Sequence, residues 1–210
     1  VLSIGSGRGL AELALAVEFP EVRFQLSDVP SPHASSSDPV LALAKKWGLS
    51  NLSRTSLDVL EPLPERYDLV ASVEVLEHIE DDARAAANMT DAARLYTFCL
   101  VPYADARTAA DPIRRKRAWE KDHHYRFGYP VEALRSLFPG ETAIVRGCYW
   151  QEAGARVVEA LKDLSDDALL ARAPIVWQEA EGDLIDRVPQ RYPEALGVWI
   201  LSRREPPKHD

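Results

Sequence analysis

Ser3-Ile4-Gly5-Ser6-Gly7-Arg8-Gly9 follows Val1-Leu2 and runs into Leu10-Ala11-Glu12-Leu13. An apolar strand therefore closes on a glycine loop, and the loop opens a helix. Glycines at such a turn allow positive φ and let a ligand approach bare backbone, while the helix N-terminus offers free N–H groups. Strand, turn and helix stand in the order that a nucleotide-binding βαβ unit requires. The same residues can also make an ordinary tight turn, so the loop takes its meaning from what surrounds it.

Outward from the loop, β-rich apolar runs over 1–5, 22–28, 51–58, 67–75 and 94–102 alternate with helical patterns over 10–18, 38–47 and 80–91. Asp38 followed by Pro39 reads as an N-cap with proline at the first helical position, and Gly48 ends that helix. Strands alternating with helices predict a parallel sheet covered on both faces. Past Pro102 the pattern changes: a charged connection over 103–129, a helix from Val131 to about Phe138, and a strand over 142–150. Helical stretches over 152–164 and 166–172 follow, then a last strand over 196–203. The expected organisation is one domain over 1–210, with a basic connection at 103–129 and a helical insertion at about 151–193.

The 210 residues are 46% hydrophobic and 28% charged, without a low-complexity tract, which excludes disorder, collagen and coiled coil for the chain as a whole. No apolar run approaches the ~20 residues of a membrane span, so no membrane partner is expected. The chain opens on Val1 with no signal-like segment ahead of the loop, and its original N-terminus is expected to lie upstream. Cys99 and Cys148 sit in apolar runs and read as reduced core thiols of a cytoplasmic protein. A net charge of −8 disfavours broad nucleic-acid binding without excluding a local basic surface.

The loop's spacing separates ligand classes. A dinucleotide fingerprint, G-x-G-x-x-G/A, needs its third small residue where Leu10 stands, whereas here the third glycine comes one place early, at Gly9. Asp28 ends the second strand about twenty residues on, where a carboxylate can accept both hydroxyls of a ribose or merely cap a turn. Asp58 ends the third strand and can accept from an adenine amino group or stand as a solvated loop acid. With VLSIGSGRG, LSD, SLDVLEP, YDLVASVEVLEHIEDD and LYTFCLVP in this order, the chain resembles the class I S-adenosyl-L-methionine (SAM) methyltransferases, in particular the ubiquinone-biosynthesis type, over 1–102. The resemblance implies a Rossmann-like three-layer α/β sandwich with a mostly parallel seven-stranded sheet whose last strand is antiparallel. It also implies SAM as cofactor. Gly5, Ser6, Gly7 and Gly9 would cradle the methionine portion, Asp28 and Val29 hold the ribose, Asp58 and Val59 flank the adenine, and Glu74 line the cofactor's methionine end. The family usually carries Asp or Glu where Ser3 stands, an acid that helps hold the SAM amino group, so this departure bears on cofactor affinity.

Glu74-Val75-Leu76-Glu77-His78 runs from the fourth strand into the next element. Methyl transfer from a sulfonium asks for in-line positioning and, for some acceptors, removal of a proton. His78 is one candidate base, and His123 and His124 downstream are two more; a structural histidine is the plainer reading of each. Glu74, Glu77 and His78 stand at i, i+3 and i+4 and would share a helical face if a helix begins early enough. Completed by His123 or His124, they could hold a divalent ion. That set resembles the metal-dependent small-RNA 3′-terminal 2′-O-methyltransferases, whereas the leading assignment uses no metal.

The connection over 103–129 carries seven basic and four acidic side chains, a local +3 inside an acidic chain. It reads either as a surface recognising a phosphate or carboxylate on a substrate, or as a solvated helical face. The insertion, with Trp150, Trp177, Arg187 and Arg191, suits a lid, a specificity element or a homodimer contact. The expected reaction is methyl transfer to a small-molecule acceptor, through oxygen or nitrogen ahead of carbon. A metal-dependent RNA 2′-O-methyltransferase is the second reading, and a catalytically degenerate SAM-fold partner protein the third.

Overall fold

The computed structural model describes residues 1–29, 38–146 and 197–204. Seven strands form one sheet: β1 (Leu2–Ile4), β2 (Phe24–Asp28), β3 (Leu52–Ser56), β4 (Tyr67–Val73), β5 (Ala93–Pro102), β6 (Glu141–Arg146) and β7 (Gly197–Arg203), in the order β3-β2-β1-β4-β5-β7-β6. Strands β1 to β5 pair in parallel. β7 lies antiparallel between β5 and β6, so the expected antiparallel last strand is present and sits inside the sheet. The chain starts at β1, moves outward to β3, and returns to β4 on the other side. The strand order thus reverses between β1 and β4, and the carboxyl ends of these two strands border the crevice where open α/β sheets bind ligands.

Each face of the sheet buries its own side chains. One carries Leu13 of α1 (Leu10–Glu18), Leu26, and Val40 and Ala44 of α2 (Pro39–Lys46). The other carries Leu2, Ile4, Val70 and Ile200 against Ala85 and Met89 of α3 (Asp82–Ala92) and Leu134 of α6 (Val131–Leu137). Fully burying side chains of this size stabilises the fold by ~1.5–3 kcal/mol each. Asp38 caps α2, accepting from the N–H groups of Val40 and Leu41 at 2.9 and 3.1 Å, a contact worth about 1 kcal/mol. Asn51, buried at the entrance to β3, donates to the carbonyls of Ala16, Phe19 and Val22 and ties the exit of α1 to the sheet.

β1 to β4 and β7 are shorter than predicted by one or two residues at an end, where the chain leaves the ladder for loops, while β5 and β6 each begin one residue earlier than predicted. The 103–129 connection contains α4 (Ala106–Ala109) and α5 (Pro112–Asp122), the latter capped by Asp111 with Pro112 at its first position. Helix α3 starts at Asp82 and not at residue 80, because Asp81 supplies the N-cap carboxylate to the N–H of Arg84. The predicted helices over 152–164 and 166–172, the remainder of the 142–150 strand, and Cys148 lie outside the described residues. No helix among the described residues is long and apolar enough to cross a membrane.

Candidate functional site

The glycine loop leaves β1 at Ile4 and enters α1 with Gly9 at the N-cap. Gly5, Gly7 and Gly9 all have positive φ. At Gly9 (φ +74°) a Cβ would come within 1.9 Å of Leu26 Cδ2, so only glycine lets α1 pack this closely on β2. At Gly7 a Cβ would meet nothing within 4 Å: the loop's middle faces open space, as a backbone cradle for a ligand must. Asp28, at the end of β2, faces this loop. Burial pushes its carboxyl above the usual range, while Arg54, the Gly7 N–H and the Ser6 hydroxyl pull it the other way. Arg54 of β3 reaches Asp28 and Ser6 at 3.3 Å each and also pairs with Asp38. Val29 beyond Asp28 is exposed. Asp58 is exposed and accepts from the Leu60 N–H at 2.9 Å, while Val59 is buried in the core.

The loop touches the second half of the site directly. A Cβ on Gly5 would come within 2.5 Å of Val75 Cγ2, so the segment leaving β4 abuts the loop. Glu74 has φ +54°, and its N–H still donates to the Leu100 carbonyl of β5 at 2.9 Å. The chain therefore turns only at Leu76–His78, a single 3₁₀ turn. The helical face expected to carry Glu74, Glu77 and His78 does not form, because Glu74 is still held to the sheet. Its carboxyl nevertheless meets that of Glu77, and burial raises both above the ordinary range. Glu77 is fully buried, and its carboxyl is pushed up to about 8, first by burial and then by the Glu74 charge.

The partner of this turn comes from more than forty residues away. The Glu77 carbonyl accepts from the N–H groups of Tyr125 at 2.7 Å and Arg126 at 3.3 Å, which stitches the segment after α5 onto the turn. His124 thereby meets His78 edge-to-face, with ring centroids 4.3 Å apart. Burial, then the nearness of His78, lowers the pKa of His124. Ligand atoms of Glu77, His78 and His124 lie within 4.8 Å of one another, so of the residues considered for a metal these three converge. His123 does not join them. It caps α5 in the left-handed region at φ +55° and stacks its ring edge-on against Trp119.

Beside the turn, Arg126 makes a two-pronged ion pair with the buried carboxylate of Asp82, and the Tyr129 hydroxyl donates to the same carboxylate at 2.8 Å. These groups and Arg115 border a cavity of about 270 Å³. Sequence reasoning passed over Asp82 and Arg54, whose roles depend on contacts between distant elements. An acid in the first turn of the helix was the one available sign for Asp82.

No protein-family model matches the chain, and no curated protein matches it by sequence. Solved structures do. A Galdieria sulphuraria chain provisionally assigned as a sarcosine dimethylglycine methyltransferase superposes with a TM-score of 0.62 at 14% identity, covering 96% of this chain and 77% of that one. Phosphoethanolamine N-methyltransferase 2 of Haemonchus contortus, solved with phosphomonomethylethanolamine and S-adenosylhomocysteine (SAH), gives 0.60 at 14% identity over 98% of this chain and 48% of that one. Coclaurine N-methyltransferase, bound to N-methylheliamine and SAH, gives 0.59 at 12% identity, with 97% and 65% covered. The chain thus spans about half to three quarters of the length of these neighbours. The fold is that of the class I SAM-dependent methyltransferases.

Proposed function

We propose that the protein binds SAM across the β1–β4 crevice and transfers its methyl group to a small-molecule acceptor through nitrogen or oxygen. The carrying observation is that Val75, the residue that opens the turn bearing Glu77 and His78, packs against Gly5 of the glycine loop, while His124 joins that turn from downstream. A cofactor laid on the loop would have its methyl end beside two imidazoles. The residues fit SAM: an open backbone at Gly7, an acid at the end of β2 facing the loop, and an exposed acid at Asp58 on the adenine side.

Bound SAM supplies an electrophilic methyl on a sulfonium, and the chain's own residues do the rest. N–H groups of the loop and the first turn of α1 receive the cofactor's polar end, and Asp28 accepts from the ribose hydroxyls. His124 takes the proton from the acceptor's N–H or O–H at an imidazole nitrogen. Its lowered pKa keeps the ring neutral at pH 7, as a base requires. With Arg126 engaged by Asp82, Arg115 is the cation on the rim of the cavity that suits a carboxylate or phosphate on the acceptor.

Radiolabelled methyl transfer from SAM to a panel of amines and alcohols, with and without an anionic group, tests the reading. Incorporation into a small acceptor that is lost in His124→Ala supports it. A folded protein that methylates nothing in the panel, though it binds SAM, would instead favour the degenerate-partner reading. One observation supports a second chemistry: Glu77, His78 and His124 converge closely enough to hold a divalent ion. Under that reading the acceptor is the terminal 2′-hydroxyl of an RNA, and a chelator abolishes transfer.

A further inference from the structure

The glycine loop offers a ligand N–H donors, but an ammonium group needs acceptors. The end of β1 supplies no carboxylate of its own to pair with that charge, since the side chain there is Ser3, an uncharged hydroxyl. The structure brings an acid to that place from the next element. The Ser3 hydroxyl, nearly buried, donates to Glu12 Oε1 at 2.5 Å. Glu12 stands in the first turn of α1, three residues after the Gly9 N-cap. A glutamate at that position usually turns back to the N–H of the cap residue. Here the Gly9 N–H already donates to the Ser6 carbonyl at 2.9 Å, so Glu12 turns to the sheet instead. Among the described residues no lysine, arginine or histidine pairs with it. The result is a half-buried carboxylate beneath the loop, fixed by one hydroxyl and paired with no cation among the described residues.

We infer that Glu12, oriented by Ser3, holds the α-ammonium of the cofactor. This rests on the assignment of SAM as the ligand. Ser3 is then a positioning residue and Glu12 the binding one: the hydroxyl fixes one carboxylate oxygen and leaves the other for the ammonium. A charge-assisted contact of this kind is worth roughly tenfold or more in affinity.

Calorimetric titration with SAH and with its deamino analogue, which keeps the carboxylate and lacks only the ammonium, tests it. Glu12→Gln should weaken SAH by about tenfold or more and leave the deamino analogue unchanged. Ser3→Ala should weaken SAH by a smaller factor. In Ser3→Asp/Glu12→Gln, which moves the carboxylate onto the strand, SAH affinity should recover. Unaltered SAH affinity in Glu12→Gln would overturn the inference, as would equal losses for both ligands, which mark Glu12 as merely structural. Should Glu12→Gln not fold, the Ser3→Ala comparison of the two ligands decides by the same criterion. Failure of the unmodified protein to bind SAH is a different result and would count against the SAM assignment itself.

Discussion

The two sides of the crevice are made in different ways. The side proposed for the cofactor is built from adjacent chain: a strand, three left-handed glycines and a helix start, with Asp28 delivered by the neighbouring strand. Its shape is a backbone shape, held by close packing at Gly9 and Gly5. The side proposed for the acceptor is built from side chains of two segments far apart in sequence, joined at the Glu77 carbonyl and clamped by Asp82, Arg126 and Tyr129. Steric changes should therefore damage the first side, while loss of a charge or a ring should damage the second, each leaving the other largely intact.

The sharpest way to break that contrast is Gly9→Ala. A left-handed alanine costs about 1–2 kcal/mol and overpacking against Leu26 about 1–3 kcal/mol. Denaturant unfolding should accordingly show a loss of roughly 2–5 kcal/mol, together with lost SAH binding. Gly7→Ala meets no neighbour and should show only the conformational part. His124→Ala is the counterpart on the acceptor side: kcat should fall about 100-fold, the scale of a lost general base, with SAH affinity unchanged. If SAH binding fell equally, the two sides would not be separable.

Arg126→Met should come next. The Asp82 carboxylate would keep its Tyr129 hydrogen bond but lose its counter-charge. Because Arg126 is 42% exposed, the stability loss should be about 1–2 kcal/mol, below the range for a fully buried pair. The kcat should drop through misplacement of His124, and Arg126→Lys should restore part of it. A loss of stability with unchanged kcat would show the clamp to be purely structural.

The pH dependence of stability should carry the signature of Glu77. Its carboxyl is raised in the folded state to about 8 from 4.5. Between those values the folded protein binds more protons than the unfolded chain, so this contribution is complete below pH 4.5 and is lost as pH rises through 8. Denaturant midpoints in chelator-containing buffer should fall over that window, by at most about 1.4 kcal/mol per pH unit. Glu77→Gln should flatten the slope, and an unchanged slope would contradict the buried carboxyl pair.

The same contrast explains what was legible in the sequence. The glycine loop, Asp28 at a strand end and the Asp38 cap are local signals, each fixed by a few consecutive residues, and all three stand where the sequence placed them. The pairing of His78 with His124 in place of His123 is not local. It follows from the left-handed turn at His123, which sends one ring to Trp119 and the next to His78. The Ser3–Glu12 contact was hidden for a related reason, since a glutamate in a first helical turn reads as an ordinary cap until its usual partner is seen to be occupied.

Calorimetric titration of SAH into the intact protein and into Asp28→Ala tests the central claim most directly, because it needs no knowledge of the acceptor. Micromolar binding, with one site per chain and a collapse in the variant, is the expected result. A folded, unmodified protein that takes up no SAH would contradict the account.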